Sequence, residues 1–280
     1  MKLELKKFDL RNIKDDSVVV FIGARNTGKS FCLNDVLYHN QKMPVGVVIS
    51  ATERANHFYE KKVPAMLIHD EFEPNIIAKL LKRQTDITDQ QYQEVEKYGG
   101  SDIDPRCFLV LDDCLYDKSW TTDKNMRYLF MNGRHIKIFL LITMQFPLGI
   151  PPVMRGNIDY IFIMRENNFG NRKRIFEHYA GMFPSFDIFN QVMDQCTEDY
   201  NMLVISKKSQ SNKLEDQVFW FKATDRPPYK MCSQEFWNMQ AVDQERKRLG
   251  FGADGDDEED YVPDMGKKKN SPKINVRKKI

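Results

Sequence analysis

Apolar residues in this chain gather in short solid runs rather than in alternation. Val18 to Ile22, Val45 to Ser50, Ala65 to His69, Phe108 to Leu111, Lys137 to Thr143 and Asp159 to Met164 each read as a strand buried on both faces. Helical spacing fills the gaps between them: Leu33, Val36 and Leu37 share one face of Phe31 to Tyr38, and a charged, periodic stretch follows Pro74. Helices between fully apolar strands predict an α/β domain, a mostly parallel central sheet with helices on both faces. After Glu198 the pattern changes. Asn201 to Ser206 and Gln217 to Lys222 flank the polar Lys207 to Asp216, which predicts a C-terminal β-hairpin at the sheet edge. Pro227 and Pro228 close the core, and Cys232 to Leu249 reads as a helix stopped by Gly250. The predicted organisation is a core over 1–225, a C-terminal helix over 226–250 and a charged, disordered tail over 251–280.

The first strand runs straight into GARNTGKS, Gly23 to Ser30, which fits the phosphate-binding pattern G-x-x-x-x-G-K-[ST] in its required context of strand, loop and helix. Gly23 and Gly28 remove Cβ atoms where backbone must curl around phosphate, so that successive N–H groups and the following helix N-terminus face anionic oxygens. Lys29 is expected to reach the β- and γ-phosphates, and Ser30 to place its hydroxyl on Mg²⁺. The candidate nucleotide-binding set is therefore Gly23, Ala24, Arg25, Asn26, Thr27, Gly28, Lys29 and Ser30, with Phe31 after them. Arg25 and Asn26 fill variable positions and receive no individual role.

A magnesium site of this kind needs a carboxylate at the end of a neighbouring buried strand. The run Cys107 to Leu111 ends abruptly in Asp112 and Asp113. Asp112 is the expected magnesium-side acid, acting through water, and Asp113 the base or polariser of an attacking water. The next long run, Ile136 to Met144, stops at Gln145, whose amide either meets the γ-phosphate or the lytic water, or is satisfied by loop backbone.

These segments resemble the FtsK–HerA superfamily of P-loop NTPases, and within it the poxvirus-type genome-packaging ATPases of nucleocytoplasmic large DNA viruses. GARNTGKS, CFLVLDD and KIFLLITMQ come in the superfamily's order. LDDCLYD (Leu111 to Asp117), GRH (Gly133 to His135), RGNIDYIF (Arg155 to Phe162) and CTEDYNMLVIS (Cys196 to Ser206) read like the viral branch, and the likeness spans about residues 15–225. The resemblance implies a RecA-like P-loop fold that binds ATP and Mg²⁺ and uses Lys29, Ser30, Asp112 and Gln145 in the family's roles. Asp113 stands where many members carry Glu. The resemblance also implies an arginine that reaches the neighbouring subunit's nucleotide, for which Arg134 is in place eleven residues before Gln145; Arg155, ahead of the next strand, is its rival. Its implied activity is that of an Mg-dependent ATPase motor moving double-stranded viral DNA into a capsid, assembled as a homo-oligomeric ring (pentamer or hexamer) against capsid or portal-vertex proteins. A nucleoside or nucleotide kinase and a nucleotide-gated virion assembly scaffold stay open as alternatives.

Composition changes this picture little. Five cysteines without a C-x-x-C pair argue against disulfides or zinc and for a reducing compartment, and no apolar run approaches the roughly twenty residues of a membrane span. The expected location is the host cell cytoplasm, with its viral factory, and the virion. A formal charge of +2 does not by itself predict nucleic-acid binding. Local basic clusters do more: Lys79, Lys82 and Arg83; Arg172, Lys173 and Arg174; Lys207, Lys208 and Lys213. Each reads either as part of a DNA channel or as a solvated face. Basic residues from Lys267 to Lys279 leave DNA, capsid contact, nuclear import and plain solubility all open for the tail.

Overall fold

The computed structural model describes residues 3–114 and 119–248. Among them, Val18–Ile22 (β1) leads to Lys29–His39 (α1), Val45–Ser50 (β2), Glu53–Asn56 (α2), Ile68–His69 (β3) and the long Pro74–Tyr98 (α3). There follow Cys107–Asp112 (β4), Ser119–Thr122 (α4), Lys124–Asn132 (α5), Ile138–Met144 (β5), Pro152–Arg155 (α6) and Tyr160–Ile163 (β6). Phe169–Tyr179 (α7), Phe186–Cys196 (α8), Asn201–Ser206 (β7), Leu214–Gln217 (α9), Val218–Lys222 (β8) and Gln234–Arg248 (α10) complete the order. Residues Met1–Gln240 form one compact unit, and a second begins at Ala241. The charged tail, Gly250 and residues 115–118 of the LDDCLYD segment lie outside the described residues.

The sheet is eight-stranded in the order β3-β2-β4-β5-β1-β6-β7-β8. From β3 to β6 every pairing is parallel, and β7 and β8 then pair antiparallel at the edge. The P-loop NTPase fold and the edge hairpin expected from the run pattern are both present. Solid apolar runs have a direct cause here, since alternate residues of one strand face two cores. Val18, Val20 and Ile22 join Ile77 of α3, Leu129 of α5 and Phe189 of α8 on one side. Val19 and Phe21 join Leu33, Val36 and Leu37 of α1 on the other. With about 1.5–3 kcal/mol available for each large side chain fully buried, neither face of β1 tolerates a polar residue.

Two expectations need correcting. Ala65 to His69 is a strand only at Ile68–His69; Ala65–Leu67 is a 3₁₀ turn set by Pro64, whose carbonyl accepts from the Leu67 N–H at 2.9 Å. The acidic strand is not the neighbour of β1, because β5 inserts between them. No helix among the described residues is long and apolar enough to cross a membrane.

Candidate functional site

The carboxyl ends of β1, β4 and β5 open on one cleft of about 880 Å³, lined among others by Gly28, Lys29, Ser30, Asp113 and Gln145. Two glycines shape the loop at its edge. A Cβ on Gly23 would come within 2.6 Å of both Met164 Cβ and Thr27 Oγ1, and Gly28 holds φ at +94°, where an L side chain is strained. The loop between them is closed by the Thr27 hydroxyl, which donates to Ala24 O at 2.8 Å. Gly28 is also the N-cap of α1 and supplies no capping side chain, so the first N–H groups of that helix remain available to an anion. Lys29 is 7% exposed and donates from Nζ to Gly23 O at 2.9 Å and Ala24 O at 3.0 Å. Burial lowers the pKa of its ammonium, and the nearby Asp113 and Asp112 carboxylates act against that shift. Ala24, Arg25, Asn26, Ser30 and Phe31 are exposed around this lysine.

Asp112 and Asp113 leave the end of β4 in different directions. Asp112 points inward and is 5% exposed; its Oδ2 accepts from the Tyr59 hydroxyl at 2.8 Å and its Oδ1 from Thr143 Oγ1 at 2.5 Å. Burial raises its carboxyl pKa, and the bonds from Thr143 and Tyr59 oppose the rise. The Tyr59 phenol is pushed well up by its own burial and by Asp112, so it stays the donor. Asp113 takes a left-handed backbone, φ 52°, and turns out to the cleft, where its Oδ2 accepts from Gln145 Nε2 at 2.9 Å. A non-glycine residue held in that region at the mouth of a cleft is strain of the kind found at functional sites.

Thr143, which pairs with Asp112 across β4 and β5, couples the two acids: its Oγ1 accepts from the Asp113 N–H at 3.0 Å while donating to Asp112. Replacing Thr143 with the near-isosteric Val therefore strands a donor and an acceptor together. Each buried group left unmade costs about 1–3 kcal/mol. Urea unfolding is expected to show that loss for Thr143→Val and to show Thr143→Ser close to the parent; equal stability of the Val variant would mean the relay contributes nothing.

Sequence patterns had not pointed to Thr143, Tyr59 or Glu53. Thr143 carried a readable signal, one hydroxyl near the tip of an otherwise apolar strand. Tyr59 carried none, because it sits in irregular chain that Glu53 organises: the Glu53 carboxylate accepts from the N–H groups of Phe58, Tyr59 and Glu60 at 3.1, 2.7 and 2.8 Å.

No cluster of His, Cys, Asp and Glu able to hold a metal by itself occurs among the described residues. The donors at the cleft nevertheless fit Mg²⁺, a hard ion usually held by one or two carboxylates while substrate phosphates and water complete its shell. Ser30 and the Asp112–Asp113 turn are oxygen donors of that sort, and each Asp112 oxygen keeps a second lone pair beyond the bonds described.

Both candidate trans arginines lie away from this cleft. Arg134 precedes β5 and Gln145 follows it, so seven residues at about 3.3 Å each put roughly 20 Å between the two rims. At the amino rim, Arg134 Nη2 donates to Asp159 Oδ1 and Oδ2 at 2.8 and 3.0 Å, and Lys208 bridges to the same carboxylate at 2.8 Å. Asp159 also accepts from the Val18 N–H at 2.9 Å, tying β1 to the start of β6. Arg155 packs its guanidinium 5.7 Å from the centre of the Tyr179 ring. Of the basic clusters, Arg172 is not a solvated charge: it is 9% exposed and its guanidinium bonds Glu166 O, Asn190 and Asp194. Lys207 donates to Arg155 O at 3.0 Å, whereas Lys79, Lys82, Lys173, Arg174 and Lys213 are exposed.

No known family model matches the chain. It is 41% identical to the uncharacterized protein L437 of Acanthamoeba polyphaga mimivirus over 239 residues, 85% of this chain and 83% of that one. It is 38% identical to the uncharacterized protein 075L of Invertebrate iridescent virus 6 over 231 residues, 78% of this chain and 85% of the other. Among solved structures it resembles the genome packaging NTPase B204 of Sulfolobus turreted icosahedral virus 2, in complex with AMP and with AMPPCP, each at a TM-score of 0.53. The alignments cover 76% of this chain and 100% of B204 at 14% and 16% identity, a likeness of fold. Shared sequence over most of their length places the chain in one family with the mimivirus and iridescent-virus proteins, and its mostly parallel sheet, with a phosphate loop and an acidic strand tip at one rim, is the P-loop NTPase fold that B204 also has.

Proposed function

We propose that this protein is an Mg-dependent ATPase motor that assembles as a ring and drives double-stranded viral DNA into a capsid. One observation carries the reading: the phosphate loop, Asp113 and Gln145 share a cleft at the carboxyl rim, while Arg134 lies on the opposite rim, out of reach of its own chain's cleft. In support, B204 is described as a genome packaging NTPase and as a DNA-packaging ATPase.

In this reading the triphosphate lies along the loop with Lys29 and the α1 N-terminus offsetting its charge. Ser30 and, through water, Asp112 would hold Mg²⁺, which would supply further positive charge to the phosphates. Asp113, its second oxygen fixed by the Gln145 amide, accepts a proton from water as the water oxygen bonds to the γ-phosphorus. The bond from that phosphorus to the bridging oxygen breaks, and ADP and phosphate result. The neighbour's Arg134 meets the charge that builds as the bond breaks. The work site is the host cell cytoplasm, beside capsid or portal-vertex proteins.

Measured with the purified chain, phosphate release from ATP is expected to require Mg²⁺ and to rise several-fold with long duplex DNA, an increase that fades as salt displaces phosphate contacts. Transfer of labelled phosphate to a nucleoside would make it a kinase. Tight ATP binding without release, with or without DNA, would make it a nucleotide-gated scaffold.

A further inference from the structure

Beside the phosphate loop lies a second, smaller hollow of about 320 Å³, lined by Gly28, Phe31, Tyr200, Met202, Lys222 and Ala223. Gly28 and Phe31 also line the catalytic cleft, so the two spaces share a wall. Antiparallel pairing of β7 and β8 brings the start of one and the end of the other to the carboxyl rim, where Asn201 faces Lys222. In the sheet, β4 and β5 stand on one side of β1 and these strands on the other. A nucleotide whose γ-phosphate faces Asp113 and Gln145 therefore directs its base toward the hollow.

Tyr200 is built for that contact. It is 69% exposed, yet its ring is held against the loop, with Cδ1 3.6 Å from where a Cβ on Gly28 would sit. Holding it there takes two consecutive left-handed, non-glycine residues, Asp199 at φ 50° and Tyr200 at φ 59°. The turn is clamped from below, since Asn201 donates from its N–H and its Nδ2 to Glu198 O at 2.8 and 2.7 Å. Phe31, 44% exposed, offers a second aromatic surface. None of the five lining side chains is a carboxylate or an amide, and their only polar ends are the Tyr200 phenol and the ammonium of Lys222 on its flexible stem.

We infer that this hollow takes the base of the nucleotide by stacking on Tyr200, without reading its edge, so that the substrates are purine nucleoside triphosphates as a class, ATP and GTP alike. Selectivity between bases needs hydrogen-bonding groups that are left unpaired by the wrong base, and these side chains supply no fixed set of them. Pyrimidines offer less ring surface and bind less well. The inference rests on the phosphate-loop reading above.

Calorimetric titration of the full chain in Mg²⁺ with ATP, GTP, CTP and inorganic tripolyphosphate tests it. ATP and GTP should bind within about tenfold of each other and CTP more weakly. Tyr200→Ala should weaken both purine nucleotides by about 10- to 100-fold, Tyr200→Phe should hardly change them, and neither should alter tripolyphosphate binding. Unchanged ATP affinity in Tyr200→Ala, equal losses for ATP and tripolyphosphate, or strong rejection of GTP by the parent would each overturn the base subsite while leaving the phosphate loop intact. Failure of the parent to bind either tripolyphosphate or ATP would sink the loop reading, and this inference with it.

Discussion

Lys29→Ala is expected to fold normally and to lose ATP hydrolysis by at least about 10³-fold, the scale on which single preorganised charge-stabilising donors act. Two physical facts separate folding from function at this residue. Its ammonium is buried, which disfavours the charged form, so removing it relieves that cost against the loss of its two bonds to the Gly23 and Ala24 carbonyls. What it does supply is a cation at the one place where Gly23 and Gly28 let backbone close around phosphate, and among the described residues no other lysine lines the cleft. The check is a pair of thermal melts beside a phosphate-release assay. ATP at 100 times its Kd stabilises a binder by about 2.7 kcal/mol, so the parent's transition should move up with nucleotide and that of Lys29→Ala should not. A variant that hydrolyses ATP at the parent rate would place the chemistry elsewhere.

How much of this was legible beforehand depends on whether the cause of a feature is local. Runs such as Val18 to Ile22 and Phe108 to Leu111 announce strands buried on both faces because both faces must be apolar, and the loop announces itself because its glycines and lysine are fixed by phosphate geometry. Sheet order has no such local cause. That β5 lies between β1 and β4, placing Gln145 between loop and acid, follows from crossovers that leave no mark on the runs themselves. Charge was misread for the same reason at Arg172, a member of a basic triplet whose partners Asn190 and Asp194 belong to α8. Tyr59 was out of reach because its partner Asp112 is 53 residues away, whereas Thr143 stood in plain view as a hydroxyl inside Ile138–Met144. The rival arginines differ in surroundings that their local sequence does not show: Arg134 keeps 49% of its side chain exposed on the rim, while Arg155 packs on Tyr179.

That contrast sets the second large effect. Arg134→Ala should keep its fold and its affinity for ATP but lose hydrolysis by about 10³-fold or more, as expected when a charge supplied in trans is removed from phosphoryl transfer. The fold survives because the buried Asp159 carboxylate retains the Val18 N–H and Lys208 and so is not left without a partner. Arg155→Ala should behave in the opposite way, losing its packing against Tyr179 and hence stability, with its hydrolysis per folded molecule little changed. Mixing decides whether the arginine works across an interface. Subunits carrying Arg134→Ala, added to parent subunits before assembly, each disable a neighbour's site, and in a ring that fires its sites in coordination the activity falls faster than the parent fraction. Lys29→Ala subunits in the same mixtures should restore turnover when paired with Arg134→Ala, since each then retains what its neighbour lacks at one of the shared sites. Strict proportionality in the first mixture, together with no recovery in the second, would confine Arg134 to its own chain and reduce its bond with Asp159 to a local tie between β5 and β6.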